Sequence, residues 1–404
     1  MKIRLKTKEV SVIILYIISV VCYFVCVDIF TLQSGDLDNL RYIVFAIAIA
    51  HGFLLLFLRG ALSNFKYRNF GNEMIYVFVV VMVFYFLSVR QANEVGYSIG
   101  TRTYIQLALI LIPVMYAYVL INLLSIKTII GLFEVGLYIN MFFYIFFEIG
   151  VDIFFDLESY QSINFITFKS PFETISNSET FLMFFVFFYF FKNSAIDKKT
   201  KNKYCTLMVL SFLFTFLSFK RLAIIFALCV ILLGRMIDLK GELPKCVTLI
   251  TSVFFTVLTY FYTLFVKGEL FSSVDVYSFT TGRDYILSLW EKKGYLSYGY
   301  GSSYELIGRY LEMDLVQIYL EIGLVAVFVF SYAYFKIARV NVFAYIIMLY
   351  EFFNLLTASS LPFSLGWIYL LICVSCISTE KIDMEHVIVK EKRGKVKKLF
   401  ARKG

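Results

Sequence analysis

The sequence predicts an all-α, polytopic membrane protein with about twelve transmembrane helices and one large outer loop that carries short helices. Three observations predict it. The 404 residues are 60% hydrophobic, with 46 Phe and 30 Tyr. Apolar stretches of roughly one bilayer thickness, about 20 residues at 1.5 Å each, run through the chain. The 38 Lys and Arg stand in the tails and connections, with Arg41 and Arg221 at the first position of a stretch and none deeper inside. Backbone groups in lipid must pair internally, so such runs form helices.

In chain order the expected spans are 10–30, 41–58, 74–89, 104–123, 128–151, 177–191, 204–218, 221–234, 246–266, 315–335, 341–355 and 361–378. The first is too long for the apolar core of a signal peptide and lacks a small-residue cleavage site, so no cleavable signal is expected. Phe219, Lys220 and Arg221 read as a tight turn between two spans. With the N-terminus inside, the inner segments hold 27 Lys and Arg and the outer segments 11. The positive-inside rule thus puts both termini in the cytoplasm. The net charge of +9 is this topology signal and not a nucleic-acid footprint. Residues 1–404 form a single integral membrane domain. The basic tail, 379–404, is expected against anionic headgroups. Cys373 and Cys376 have redox spacing but lie in an apolar span, where packing is their expected role. His51 and His386 lack metal-ligand companions, so no metal or other cofactor is expected.

Two outer loops are long, 152–176 and 267–314, and long ordered loops tend to carry function. In the second, Thr281 to Asp284 reads as a helix start, with Thr281 as cap and Asp284 at the reciprocal position. Ile286 with Trp290, and Tyr285 with Leu289, are i,i+4 pairs. Lys292, Lys293 and Gly294 suit the helix end. An amphipathic surface helix is expected over 282–293. In the run from Tyr298 to Glu305, Ser302 and Glu305 form a capping-box pattern, and Gly299 and Gly301 permit close backbone approach. Such a helix start can receive an anion; the alternative is that both glycines are plain turn residues. No nucleotide P-loop is present, because no Gly-Lys-Ser/Thr follows.

Candidate chemistry lies on the outer side. Lys220 and Arg221 oppose the positive-inside bias; they either meet a ligand or snorkel to headgroups. Arg283 stands in a first helical turn, where the macrodipole disfavours a cation. Arginine suits phosphate because its planar fork matches two oxygens. Glu312 and Asp314 open the tenth span and are candidate general bases, although Arg309 is spaced to pair with Glu312. Glu148 and Glu351, near outer span ends, follow as candidates, and Glu321 lies deeper. Tyr298, Tyr300 and Tyr304 suit sugar faces or ordinary loop packing.

The stretch from Thr281 to Val325 resembles the Wzy-type polymerases of O-antigen and capsular repeat units, relatives of the O-antigen ligases. Arg283 followed by ten residues and Gly294 matches a motif of their large outer loop. Gly299 and Gly301 match a Gly-x-Gly element. Glu312 to Gly323 is similar to the helix that follows it, and Ser218-Phe219-Lys220-Arg221 to a Ser-x-Arg turn. The ligases carry His where this chain has Glu312, and Val316 replaces a usual Leu. The resemblance covers about 50 residues. It implies a GT-C-like membrane fold and a glycosyltransferase using undecaprenyl-diphosphate-linked oligosaccharide, alongside a chain-length regulator and a flippase. Arg221, Arg283 and Lys220 would meet the diphosphate. Gly299, Gly301 and Tyr300 would belong to the substrate site, and Glu312 or Asp314 would serve the acceptor hydroxyl. The alternatives are a flippase or other carrier of lipid-linked oligosaccharides and an O-antigen ligase.

Overall fold

A computed structural model describes residues 7–30, 40–58, 70–164, 170–173, 177–195, 197–236, 241–270, 276–280, 282–358, 361 and 365–379. Their regular structure is helical, with no strand among the described residues. The Thr281 cap, His386 and the basic tail beyond Thr379 lie outside them.

The helices are α1 (Thr7–Phe24), α2 (Leu40–Leu58), α3 (Gly71–Glu94), α4 (Thr101–Leu123), α5 (Ile126–Phe143), α6 (Val151–Phe155), α7 (Leu157–Gln161), α8 (Asn177–Ser194) and α9 (Lys198–Leu217). Then follow α10 (Arg221–Met236), α11 (Lys245–Val266), α12 (Val276–Thr280), α13 (Arg283–Glu291), α14 (Ser302–Ile307), α15 (Asp314–Ile322), α16 (Leu324–Ala338) and α17 (Val342–Thr357). The last is α18 (Leu365–Thr379). Wider π-type turns extend α1 over Val25–Phe30 and α5 over Tyr144–Ile149. Among the described residues, six helical segments are long and apolar enough to cross a membrane: Glu9–Val27, Leu40–Leu58, Gly71–Glu94, Thr101–Leu123, Ile126–Ile149 and Lys245–Val266. Four shorter apolar helices accompany them: Arg221–Gly234, Leu324–Ala338, Val342–Thr357 and Leu365–Thr379.

Side chains set these limits locally. Asp197 caps α9, its carboxylate accepting from the Thr200 amide at 3.0 Å. That cap starts α9 six residues before the expected span, so Lys198 to Lys203 ride on the helix. Ser125 caps α5 and Asn341 caps α17. Within the apolar helices, Ser211, Thr215, Ser252, Thr256, Thr259 and Thr263 donate their hydroxyls to the carbonyl four residues earlier. Polar side chains are thereby satisfied inside their own helix.

α8 is the centre of the bundle. Every residue from Asn177 to Phe191 is buried, against α5, α9, α10 and α17. Its Phe side chains make the packing, with Phe133 stacked on Phe187 at 3.8 Å. α2, α3 and α11 instead leave apolar side chains such as Ile47, Phe57, Val79, Phe86, Ile250 and Phe261 on the outside, as a lipid-facing surface requires.

Contacts between connections sort into two ends. At one end Lys203 pairs with Glu134 at 2.5 Å, Arg339 with Glu242 at 2.9 Å, and Lys336 lies over the Tyr76 ring at 4.1 Å. At the other end Tyr97 of the α3–α4 connection stacks on Tyr298, and Asp314 accepts from the Leu361 amide at 2.6 Å.

The tight turn at Phe219 to Arg221 is present, with Phe219 at φ 57° between α9 and α10. The expected tenth span, 315–335, is not one helix. Gly323 at φ 92° divides it into α15 and α16.

The loop before α15 folds into a small cap. Val266, Ile286, Leu287, Trp290, Leu311, Met313 and Val316 form its own apolar core. The expected helix is α13, and the Ile286–Trp290 pair is its buried flank, whereas Tyr285 is exposed. It is anchored by its own core, not only laid on a membrane surface. Gly294 at φ 68° ends it. The Gly294 amide donates to the Glu291 carbonyl at 2.7 Å and the Tyr295 amide to the Trp290 carbonyl at 3.2 Å, the double closure of a Schellman turn. The buried Trp290 indole N–H donates to the Leu296 carbonyl at 3.1 Å. Trp290→Ala should cost about 3–5 kcal/mol, the usual range for emptying an aromatic core site. Limited proteolysis between 268 and 313 should then quicken while the remaining helices stay resistant; unchanged proteolysis would contradict an independent core.

Candidate functional site

Glu321 stands two residues before the break at Gly323 and is 1% exposed. It accepts from the Gly301 amide at 2.6 Å, the Ser303 amide at 2.9 Å and the Ser303 hydroxyl at 2.5 Å. The Gln317 amide completes the ring at 3.2 Å and 3.3 Å. The turn that was expected to receive an anion from outside therefore holds the chain's own carboxylate. Its glycines are required for another reason as well. Gly299 has φ 131°, and a Cβ there would lie 3.0 Å from the Cβ of Ser88 and 3.1 Å from the Thr103 hydroxyl. At Gly301, φ 90°, it would lie 3.0 Å from Gln106. Both let the turn press onto α3 and α4.

Neighbouring expectations change with it. Ser302 and Glu305 do not form a capping box; Gly301 is the cap of α14 and provides no side-chain bond. Glu305 instead crosses to α4, accepting from the Arg102 amide at 3.0 Å and from the Tyr298 hydroxyl at 2.7 Å. Burial, then the Glu305 carboxylate, push the Tyr298 hydroxyl up to about 12, so it remains a donor at neutral pH. Tyr300 is 2% exposed, its ring edge-on to Phe84 at 5.2 Å and its amide donating to Ser88 at 3.0 Å. Its face is packed inside the bundle and gives no sugar contact. Tyr304 underlies Arg102, 4.1 Å from guanidinium to ring, and Arg102 also donates to the Tyr310 hydroxyl.

The two base candidates separate. Glu312 is exposed, at φ 57°, and pairs with Arg309 at 3.3 Å. The pair stands on an irregular turn, not on the helix face its spacing suggested. Asp314 is 2% exposed and spends an oxygen on the Leu361 amide, tying the start of α15 to the connection after α17. That is a structural bond, and it removes Asp314 from ready contact with an acceptor.

The cations lie on different elements. Arg283 begins α13 and donates to the Thr280 carbonyl at 2.6 Å; its charge reaches the Tyr262 hydroxyl of α11. Arg221 is exposed at the start of α10, which packs on α8, α9 and α17. Lys220 is half-buried in the turn and acts electrostatically on both Glu179 of α8 and Glu351 of α17. The Asn354 amide donates to Glu179. Glu148 accepts from Asn177. Glu179 was not among the residues singled out from sequence, although a carboxylate heading a Phe-rich apolar run is a signal that could have found it. The structure thus joins Lys220 with Glu351 and adds Glu179. It joins Gly301 with Glu321, and leaves Arg221 and Arg283 on separate helices of the same end.

Glu321→Ala should leave two amides and a hydroxyl buried without an acceptor, at about 1–3 kcal/mol each. It should lower the melting temperature in detergent far more than Glu312→Gln, an exposed pair worth about 0–1 kcal/mol. Equal, small effects of the two would contradict the enclosed carboxylate. No protein-family model and no curated protein matches this sequence.

Proposed function

We propose that the chain is a polysaccharide polymerase, a glycosyltransferase that joins undecaprenyl-diphosphate-linked oligosaccharide repeat units at the outer face of the cytoplasmic membrane. One observation carries the reading. The cationic α9–α10 turn and the folded cap bearing Arg283 stand at the same end of an apolar bundle. They are linked by the Lys220–Glu351 attraction onto α17 and by the Asp314–Leu361 bond from α17's far connection to α15. Twelve crossings are consistent with the two sets of end contacts, counting α15 and α16 as one broken crossing. The excess of inner Lys and Arg supports both termini in the cytoplasm, which puts the cap outside.

In this reading the hydroxyl oxygen of one repeat unit forms a bond to the anomeric carbon of the growing chain. The bond from that carbon to the diphosphate breaks, and undecaprenyl diphosphate leaves with the electron pair. Arg221, Arg283 and Lys220 stabilise the charge that develops on it. The hydroxyl proton goes to a carboxylate at the rim. Glu312 is the accessible one, exposed at the rim of the cap. Apolar grooves such as the one lined by Val21, Val135, Tyr138, Ile139, Phe142 and Phe143, about 420 Å³, suit isoprenoid chains. A chain-length regulator and a flippase would act beside it.

A second reading, a carrier of lipid-linked oligosaccharides, is favoured by the break at Gly323 and by the buried carboxylates of α8 and α17. A deletion strain separates the two: single lipid-linked repeat units outside support the polymerase, and their retention on the inner leaflet supports the carrier. Arg283→Ala and Arg221→Ala should each reduce chain extension by about 10²–10³-fold at unchanged protein level. Arg283→Lys should recover little, because lysine is a point charge. Glu312→Gln should cost about 10²–10⁴-fold if Glu312 accepts the proton. Normal chain length in either arginine variant removes that residue from the site.

A further inference from the structure

A second polar cluster lies inside the bundle, enclosed by α8, α17 and the α9–α10 turn. Glu179 is in the first turn of α8 and Glu351 two turns from the end of α17; they are 6% and 0% exposed. Lys220 attracts both. Asn354 gives its amide to Glu179. It also lies beside Glu351, yet neither oxygen of Glu351 meets a donor in hydrogen-bond geometry. The Tyr350 and Ser178 hydroxyls, both 0% exposed, lie together against the carboxylates and make no hydrogen bond in that geometry either. The remaining polar groups of the packed elements are turned elsewhere. Asn140 of α5 bonds Thr180, Glu148 bonds Asn177, α10 presents the Phe226 ring to Tyr350, and Arg221 is exposed.

Among the described residues, one cation, Lys220, therefore faces two buried acids. With both acids ionised, a surplus negative charge would stand in apolar surroundings, at a cost of several kcal/mol after relaxation. Three buried oxygen-bearing side chains would also lack partners, which native interiors avoid. A proton removes both problems. It neutralises the surplus charge and turns a carboxylate that only accepts into one that also donates. A metal cation fits less well, because the Lys220 ammonium already occupies the electropositive role and would repel it.

We propose that Glu179 and Glu351 form a proton-binding site that holds one proton between them, with Lys220 balancing the second carboxylate. The site goes beyond the transfer reaction; it shares Lys220 with the cations proposed for the diphosphate, and Glu351→Gln tests it without altering those cations. Infrared difference spectroscopy of the purified full-length protein in lipid nanodiscs tests it. At neutral pH the wild type should show one protonated-carboxyl carbonyl band, sensitive to deuterium, that Glu351→Gln abolishes. The Gln side chain has nearly the shape of the protonated acid, so the variant should fold. Lys220→Gln provides an independent check: with its balancing charge gone, a second protonated-carboxyl band should appear. Sodium chloride should leave the wild-type band in place. A wild-type spectrum without the band, or a band that Glu351→Gln leaves intact, overturns the site. Loss of the band on adding sodium would overturn it in favour of a metal-cation site.

Discussion

A carboxylate buried in an apolar helix is tolerated only when donors surround it, and Glu321 is the case on which the seating of the cap rests. Its four donor groups come from the turn at Gly301 and Ser303 and from Gln317 one helical turn back. The same residue therefore joins the cap to α15. Because two of those donors are backbone amides, the turn must approach closely, and Gly299 and Gly301 are what let it. Pressing the turn inward brings Tyr300 onto Phe84 and frees Glu305 to cap α4. The α3–α4 connection, the cap and α15 thus become one piece. Gly323 releases the helix just beyond Glu321, so the carboxylate can face the turn while α16 continues against α3 and α11.

The remaining polar groups follow the same physical rule in different ways. Ser211 and Thr215 of α9 and Thr259 and Thr263 of α11 satisfy their hydroxyls on their own helix. Asp314 is satisfied by a distant amide and ties α15 to the connection after α17. The cluster of Glu179, Glu351 and Lys220 is where the donors fall short, and that shortfall sets it apart from the enclosed Glu321. Two arginines, by contrast, stand apart from that cluster: Arg221 is exposed and Arg283 opens α13.

Much of the helical plan was legible in the sequence because lipid imposes it residue by residue. Apolar length, the turn at Phe219 to Arg221, and the Gly294 stop of α13 are all local signals. What was not legible depends on contacts far apart in the chain. Ser302 and Glu305 have capping-box spacing, but Glu305 finds a better-placed helix end 203 residues away and Glu321 takes the amides. The break at Gly323 was hidden because one glycine in an apolar run is compatible with a continuous helix. Tyr300 has the composition of a sugar contact and the position of a core residue. Asp314 and Glu312 are two residues apart, yet one is buried in a tie and the other exposed, a difference that only the turn at φ 57° decides. Glu179 heads a Phe-rich run, a legible signal, but its neighbours Lys220, Glu351 and Asn354 come from distant parts of the chain.

The proposed transfer is tested most directly with purified protein in nanodiscs and a single-repeat undecaprenyl-diphosphate oligosaccharide as the only substrate. The account predicts saccharides that lengthen by whole repeat units, with one undecaprenyl diphosphate released for each new linkage. Substrate that stays at one repeat unit, with no diphosphate released by protein that folds and binds it, would contradict the account.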